Sequence, residues 1–422
     1  MRPTHARLAL FGAALIAAAP LVSAGPVAAE ARAATASPTV EERRLDQAAP
    51  REILRRSGFD TVAPDFARAL EGVRSVAEAE TVVARDGGRL WRRAVERVQG
   101  RGPAGGDLSR DDDRPLYWAR LGMTRALGEW RPGFPLSDER RAALLATLER
   151  GSRGEDSIEL PAGPRIRRIV VTGFDPFQLD ADPRRSNPSG AAALALDGTT
   201  IRTKRGPARI ETAVFPVRWA DFADGTVERT LLPSFRSGPR RADVFMTVSQ
   251  GRIGRFDVER TNGAWRGGYP DNANVSETGT VPIPSGVPTP APRPQWTTTT
   301  LPYGRIVAAD TGPFPVYDHT EVTEIPAGGG GPVVRPDGPT PGSTARAGGG
   351  GDYLSNEIAY RATLLRDAVG LKAPGGHLHT PVLQFGAGNT DPATGEVTDP
   401  EFLRNRLAIT EQVRSVLTAA AG

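Results

Sequence analysis

Between about residues 49 and 153, apolar side chains recur every three to four positions: Phe66, Leu70, Val73 and Val76, then Leu90, Trp91, Val95 and Val98. Residues spaced this way share one face of a helix, so the segment is expected to form amphipathic helices. Two further stretches, Tyr117 to Trp130 and Asp138 to Leu148, complete a small helical domain that holds no histidine. The pattern changes after residue 166. Short β-branched runs at Arg168–Thr172, Ile210–Val217, Asp243–Val248 and His377–Leu383 read as buried strands, with a helix at Ser189–Leu196 and an amphipathic one at Phe402–Ala419. Strands alternating with helices predict an α/β domain with a largely parallel sheet, whose catalytic loops lie beyond the carboxyl ends of the strands.

The start of the chain reads differently. Arg2 and Arg7 precede an apolar run from Leu8 to Val22, and small-residue triplets end at Ala24 and Ala29. This is the pattern of an export signal, too short for a membrane span, and it predicts a secreted or extracytoplasmic protein with no stable membrane insertion. The expected organisation is a signal peptide at 1–34, a helical region at 35–150, a linker at 151–166 and an α/β domain at 167–422. The stretch from Thr35 to Ala48 is polar and reads as flexible.

Composition narrows the chemistry. The 422 residues include no cysteine, which excludes disulfides, thiolate metal sites and a thiol nucleophile. The formal charge of +4 rests almost wholly on arginine, with Lys204 and Lys372 the only lysines. Charges of both signs alternate in Glu41-Glu42-Arg43-Arg44 and Arg110-Asp111-Asp112-Asp113-Arg114, as on a solvated mixed surface, so no nucleic-acid footprint stands out. A Pro-rich stretch at Pro282–Pro294 and a Gly/Pro-rich insertion at about 319–351 read as extended or mobile loops; the second carries the tracts Gly328–Gly331 and Gly348–Gly351 and could act as a lid. The four histidines are His5, His319, His377 and His379, a thin set for a metal, and no metal or cofactor is expected. His319 reads as part of a solvated loop, with Asp318 and Glu321 as conceivable cation ligands.

Ser355 stands at the start of a helical pattern, where unpaired N–H groups and the positive end of the helix dipole favour a developing anion. A serine there is also a common local cap. A histidine downstream, His377 or His379, can take its proton; on a strand the two share a face.

Four segments together resemble pyroglutamyl peptidase type I, the pyrrolidone-carboxylate peptidases. Val171-Thr172-Gly173-Phe174-Asp175-Pro176-Phe177 with Asn187-Pro188-Ser189 is similar to that family's V-T-G-F-E-P-F…N-P-S. Glu259-Arg260 to Pro270-Asp271-Asn272 is similar to E-R…P-D-N, and Thr299-Thr300-Leu301-Pro302 to S-T-L-P. Tyr353-Leu354-Ser355-Asn356 with Tyr360, then His379-Thr380-Pro381, resembles Y-x-C-N…Y and H-x-P. Their order and spacing argue against chance. The resemblance implies a three-layer α/β/α sandwich and removal of N-terminal pyroglutamate from peptides. It places the nucleophile at Ser355, the base at His379 and the acid at Glu259. It further implies that Phe174 and Phe177 flank the flat, neutral lactam, and that Gln250 hydrogen-bonds it.

The chain departs from that pattern in three ways. A hydroxyl replaces the thiol, and serine stays protonated until a well-aligned base removes its proton. Export gives a reason for the change, because a reactive thiol outside the cytosol is open to oxidation. Asp352, expected as the helix N-cap, places an acid near the nucleophile, and the N-terminal helices have no counterpart in that family. Three functions fit these residues: an exported serine peptidase, an inactive peptide-binding protein on the same fold, or a serine esterase or amidase acting on another small acyl group. The oligomeric state is left open.

Overall fold

The computed structural model describes residues 37–422, so the expected signal peptide lies outside the described residues. These residues form one compact unit. Its helices are α1 (Val40–Arg43), α2 (Ala48–Ser57), α3 (Val62–Glu71), α4 (Val76–Val98), α5 (Arg114–Glu129), α6 (Asp138–Ser152), α7 (Pro188–Leu196), α8 (Trp219–Ala223), α9 (Thr226–Phe235), α10 (Tyr303–Val307), α11 (Leu354–Ala368) and α12 (Pro400–Ala421). The central sheet comprises β1 (Arg167–Phe174), β2 (Thr200–Thr203), β3 (Gly206–Phe215), β4 (Val244–Gln250), β5 (Phe256–Glu259), β6 (Val316–His319) and β7 (Gly375–Thr380).

The strand order is β6-β5-β7-β4-β1-β3-β2. The inner strands β3, β1, β4 and β7 run parallel, while β2 and the β5–β6 pair run against them. The expected mostly parallel α/β architecture is present. One face of the sheet carries Ile169, Val171, Met246, Val248, Val258 and Leu378 against Ala192 and Leu196 of α7 and Phe402, Ile409 and Val413 of α12. The other carries Val170, Phe174 and Phe245 against Leu231 of α9 and Leu354, Ile358 and Leu365 of α11. Because both faces are covered, inner strands such as Val170-Val171 and Val244-Phe245-Met246 are hydrophobic without alternation.

Helices α1 to α6 form the expected helical region, packed around Phe66, Leu90, Trp91, Leu116, Met123 and Leu148. This region also covers Ala193 and Leu194 of α7, so it shares a core with the α/β part. Several charged runs expected on a solvated surface are in fact buried here. Glu41, Glu42, Arg44, Asp112, Asp113 and Arg114 are at most 8% exposed. The stretch before Ala48, expected to be flexible, holds α1 with a capping box between Thr39 and Glu42. Arg44 pairs with Asp180 and donates to the Asn272 carbonyl. Asp112 pairs with Arg114 and with Arg406 of α12, each buried partner supplying the counter-charge that makes burial of the other tolerable. The expected linker begins with the last residues of α6, and its Arg153 is buried.

The Gly/Pro-rich insertion is not a structureless loop. It continues from the end of β6 into a small antiparallel sheet of residues 322–325, 333–335 and 344–347. Buried Glu324 braces that sheet by accepting from Arg335 and from the Thr340 amide and hydroxyl. The Pro-rich stretch is irregular, as expected, but Pro282 and Pro294 offer carbonyls to Arg361 and Tyr360 of α11.

Candidate active site

The register of the sheet gathers polar side chains on the face beneath α11. Thr172 pairs with Thr247, Thr247 with His377, Ser249 with His379, His377 with Glu259, and Glu259 with His319. Directly paired residues, and residues two apart on a strand, point to the same side. A row of hydroxyls, imidazoles and a carboxylate therefore crosses the sheet.

Glu259 is fully buried and accepts two hydrogen bonds, from His379 Nδ1 at 2.7 Å and from His319 Nδ1 at 2.6 Å. Burial acts to raise its pKa, but the two imidazole bonds outweigh that and hold the carboxyl well below the usual range. An ionised carboxylate only accepts, so each imidazole donates through Nδ1. In the neutral ring this leaves Nε2 unprotonated, the tautomer a general base requires. His379 is 4% exposed.

His377, the rival candidate, is enclosed by its surroundings. Its Nδ1 and Nε2 lie 2.8 Å from the hydroxyls of Thr247 and Ser249, and its ring is inaccessible. Burial, then the neighbouring His379, pushes its pKa well below the normal imidazole value, so it is a neutral core residue. His319 was expected in a solvated loop and instead ends the edge strand β6 on Glu259. Its neighbour Asp318 pairs with Arg260, and among the described residues no cluster of three or more His, Asp or Glu could hold a metal ion.

Ser355 is the second residue of α11, whose N-cap Tyr353 makes no side-chain cap bond. Asp352 does not cap the helix as expected. Its carbonyl accepts from Gly267 N, and its carboxylate lies where a Cβ on Gly267 would stand. The amides of Leu354, Ser355 and Asn356 therefore lack intrahelical acceptors and can stabilise an anion. Asn356 pins this helix start by exchanging side-chain bonds with both the amide and the carbonyl of Gly263. The Ser355 hydroxyl donates to the Gly350 carbonyl at 2.9 Å and makes no hydrogen bond to His379.

Beside Ser355 lies a small cavity lined by Phe174, Phe177, Asn187, Val217, Ser249, Gln250, Tyr353 and Leu354. No ionisable acid or base other than the Tyr353 phenol, which donates to the Pro270 carbonyl, is among these residues. The cavity suits a small, flat, uncharged group. Gln250 Oε1 accepts from Leu383 N, which orients the side-chain amide. Asn187 and Tyr353 were not anticipated as lining residues, although both stand inside motifs quoted above.

The remaining motif residues build the walls. Asn187 caps α7 and donates to the Asp175 carbonyl, while Ser189 Oγ receives the Phe174 amide. Asp271 accepts from the amides of Trp219, Ala273 and Val275, and Asn272 donates to the Pro176 carbonyl. Asp175 is buried between Arg120 of α5 and Arg153 at the end of α6, 2.5 Å from the latter. Asp113 receives Ser186 Oγ and the Asn187 amide. The N-terminal helices thus fix the loop that carries Phe177 and Asn187.

Fold and site together define a three-layer α/β protein with an imidazole–carboxylate pair near a serine at an uncapped helix start. The chain belongs to the PA0049 family. The model of the PA0049 N-terminal domain matches residues 23–149, and that of the PA0049 C-terminal domain matches residues 168–291 and 314–384. It is 36% identical to the uncharacterized protein PA0049 of Pseudomonas aeruginosa, over 89% of this chain and 88% of that protein. Among solved structures, it is similar to a mutant pyrrolidone carboxyl peptidase from Pyrococcus furiosus, with 21% identity, a TM-score of 0.39 and coverage of 60% of this chain and 97% of that one. It is also similar to pyroglutamyl peptidase I of Bacillus amyloliquefaciens, with 19% identity, a TM-score of 0.38 and the same coverage.

Proposed function

We propose that this protein is an exported amide hydrolase that removes N-terminal pyroglutamate from peptides, with Ser355 as nucleophile, His379 as base and Glu259 as its orienting acid. The observation that carries the reading is the short bond from His379 Nδ1 to buried Glu259, formed close to a small uncharged cavity that Ser355 lines. In the proposed reaction the Ser355 hydroxyl leaves the Gly350 carbonyl and turns to His379 Nε2, which takes its proton as Oγ attacks the lactam-bearing acyl carbon. The oxyanion forms near the free amides of α11, and His379 then protonates the departing amine. Water, activated by the same imidazole, releases pyroglutamate from the serine ester. Ser355 and His379 share no hydrogen bond before substrate arrives, and catalytic hydrogen bonds of this kind often form only in the substrate complex.

A second reading, a binding protein without turnover, is favoured by one observation: the Ser355 hydroxyl is committed to Gly350 rather than His379. A chromogenic pyroglutamyl amide separates the two. Turnover by the wild type that vanishes in Ser355→Ala supports the hydrolase; turnover arising only in Ser355→Cys supports a binding protein that has lost its thiol.

A further inference from the structure

The carboxylate that orients His379 has a second imidazole on its other oxygen, and no motif in the resemblance assigns it a role. His319 ends β6 at the sheet edge and pairs in parallel register with Glu259, so both side chains leave the same face. We propose that His319 is a positioning residue for the Glu259–His379 pair: it holds Glu259 Oε2 and thereby fixes the plane in which Oε1 meets the base. This inference rests on the reading of His379 as the base.

Glu259 is fully buried, and the two oxygens have separate partners, Oε1 with His379 and Oε2 with His319. Without His319, Oε2 would be a buried charged acceptor with no hydrogen-bond partner, and the carboxylate could rotate away from His379. The glycine tract closes the arrangement. A Cβ on Gly349 would overlap Oε2, so only glycine allows the chain to lie over the carboxylate. The His319 side chain is 13% exposed, against 5% for His379.

Two imidazoles thus share one carboxylate, one on each oxygen. The other charges around it are Asp257, bound to Arg252; Arg252 itself, 3.6 Å from Glu259 Oε1; and the Asp318–Arg260 pair beside His319. Asp257 is fully buried and pairs across the sheet with His379, but only the two imidazoles bond the Glu259 carboxylate.

The test uses His319→Ala, which removes the donor, and His319→Asn, which keeps an N–H near the Nδ1 position but cannot titrate. Imidazole NMR on the wild type and both variants reads the Nδ1 proton of His379 in its bond to Glu259, since His377 and His319 are identified by their own substitutions. The expected result is a downfield Nδ1 proton in the wild type that moves upfield in His319→Ala and returns in His319→Asn. A His379 Nδ1 resonance identical in all three proteins would overturn the proposal. In the kinetic arm, His319→Ala is expected to lower kcat by about 10- to 100-fold with little change in KM, the range expected for a lost hydrogen bond to a charged group, and His319→Asn to recover most of it. Full activity in His319→Ala would overturn it equally. If the wild type itself shows no turnover, the hydrolase reading fails, while the NMR arm still decides whether His319 positions the pair.

Discussion

The two glycine tracts of the insertion look alike in sequence and should respond oppositely to the same added methyl. At Gly349 a Cβ would lie 3.0 Å from Glu259 Cδ and nearer still to Oε2, against a carboxylate fixed by two imidazoles. Neither side can yield freely, because the Gly349 amide is itself bonded to the Thr261 carbonyl at 2.7 Å. Overpacking of this kind costs about 1–3 kcal/mol. Unfolding entropy of about 2.1 cal/mol/K per residue makes each kcal/mol worth roughly 1 °C in a chain of this size, so Gly349→Ala should melt about 1–3 °C lower. The catalytic effect should be larger, since displacing a positioned group by about 1 Å costs on the order of 100-fold in rate. Gly328 opens the exposed turn between the strands at 322–325 and 333–335. Its added Cβ meets nothing within 4 Å, and its φ is not positive. Gly328→Ala should therefore be neutral, or more stable by up to about 1 kcal/mol through the unfolded state. Thermal melting and turnover of a pyroglutamyl amide, measured on both variants, check this. Equal activity in the two would refute the claim that the packing of the second tract on the Glu259 carboxylate matters to the chemistry.

Two other expectations concern stability. Asp175→Ala leaves buried Arg120 and Arg153 with Glu149 as their remaining shared anion, which should cost about 1.5–3 kcal/mol in denaturant unfolding, the range for a lost hydrogen bond to a charged group, and expose the junction between the helical region and β1 to proteolysis. Glu155 accepts from the hydroxyls of Thr226 and Thr230, and burial pushes its pKa from 4.5 up to about 7. A carboxyl whose folded pKa exceeds its unfolded value holds its proton more tightly when folded, so ionisation between about pH 4.5 and 7 weakens the fold. Glu155→Gln should accordingly gain about 3 kcal/mol over the wild type at pH 8 and lose most of that advantage by pH 4.5, as read from denaturation midpoints at the two pH values.

What the sequence disclosed, and what it hid, follows from how far apart the interacting residues lie. Strands β1, β4 and β7 were legible because burial on both faces forces runs such as Val170-Val171 and Val244-Phe245-Met246. Strand β6 was not, since an edge strand with exposed Tyr317 and Asp318 carries no hydrophobic signature, and His319 was misplaced with it. Glu259, Ser355 and His379 were singled out through motif order, and Phe174, Phe177 and Gln250 line the cavity beside Ser355. The choice between His377 and His379 needed the hydroxyls of Thr247 and Ser249, about 130 residues away in the chain. Charge runs misled for a related reason. Asp112 resembles a surface residue until Arg406 arrives from the last helix. Composition likewise cannot separate a glycine tract that turns, at Gly329 and Gly330 with positive φ, from one that makes room for a neighbour, at Gly348 and Gly349.

The central claim is that the hydroxyl of Ser355 becomes acylated by the pyroglutamyl group. Rapid acid quench of the wild type during turnover of a pyroglutamyl amide, followed by mass spectrometry of its peptides, tests it most directly. The account predicts a pyroglutamyl ester on the peptide containing Ser355, absent in Ser355→Ala and depleted in His379→Ala. Turnover that continues in Ser355→Ala with no adduct on this peptide would contradict it.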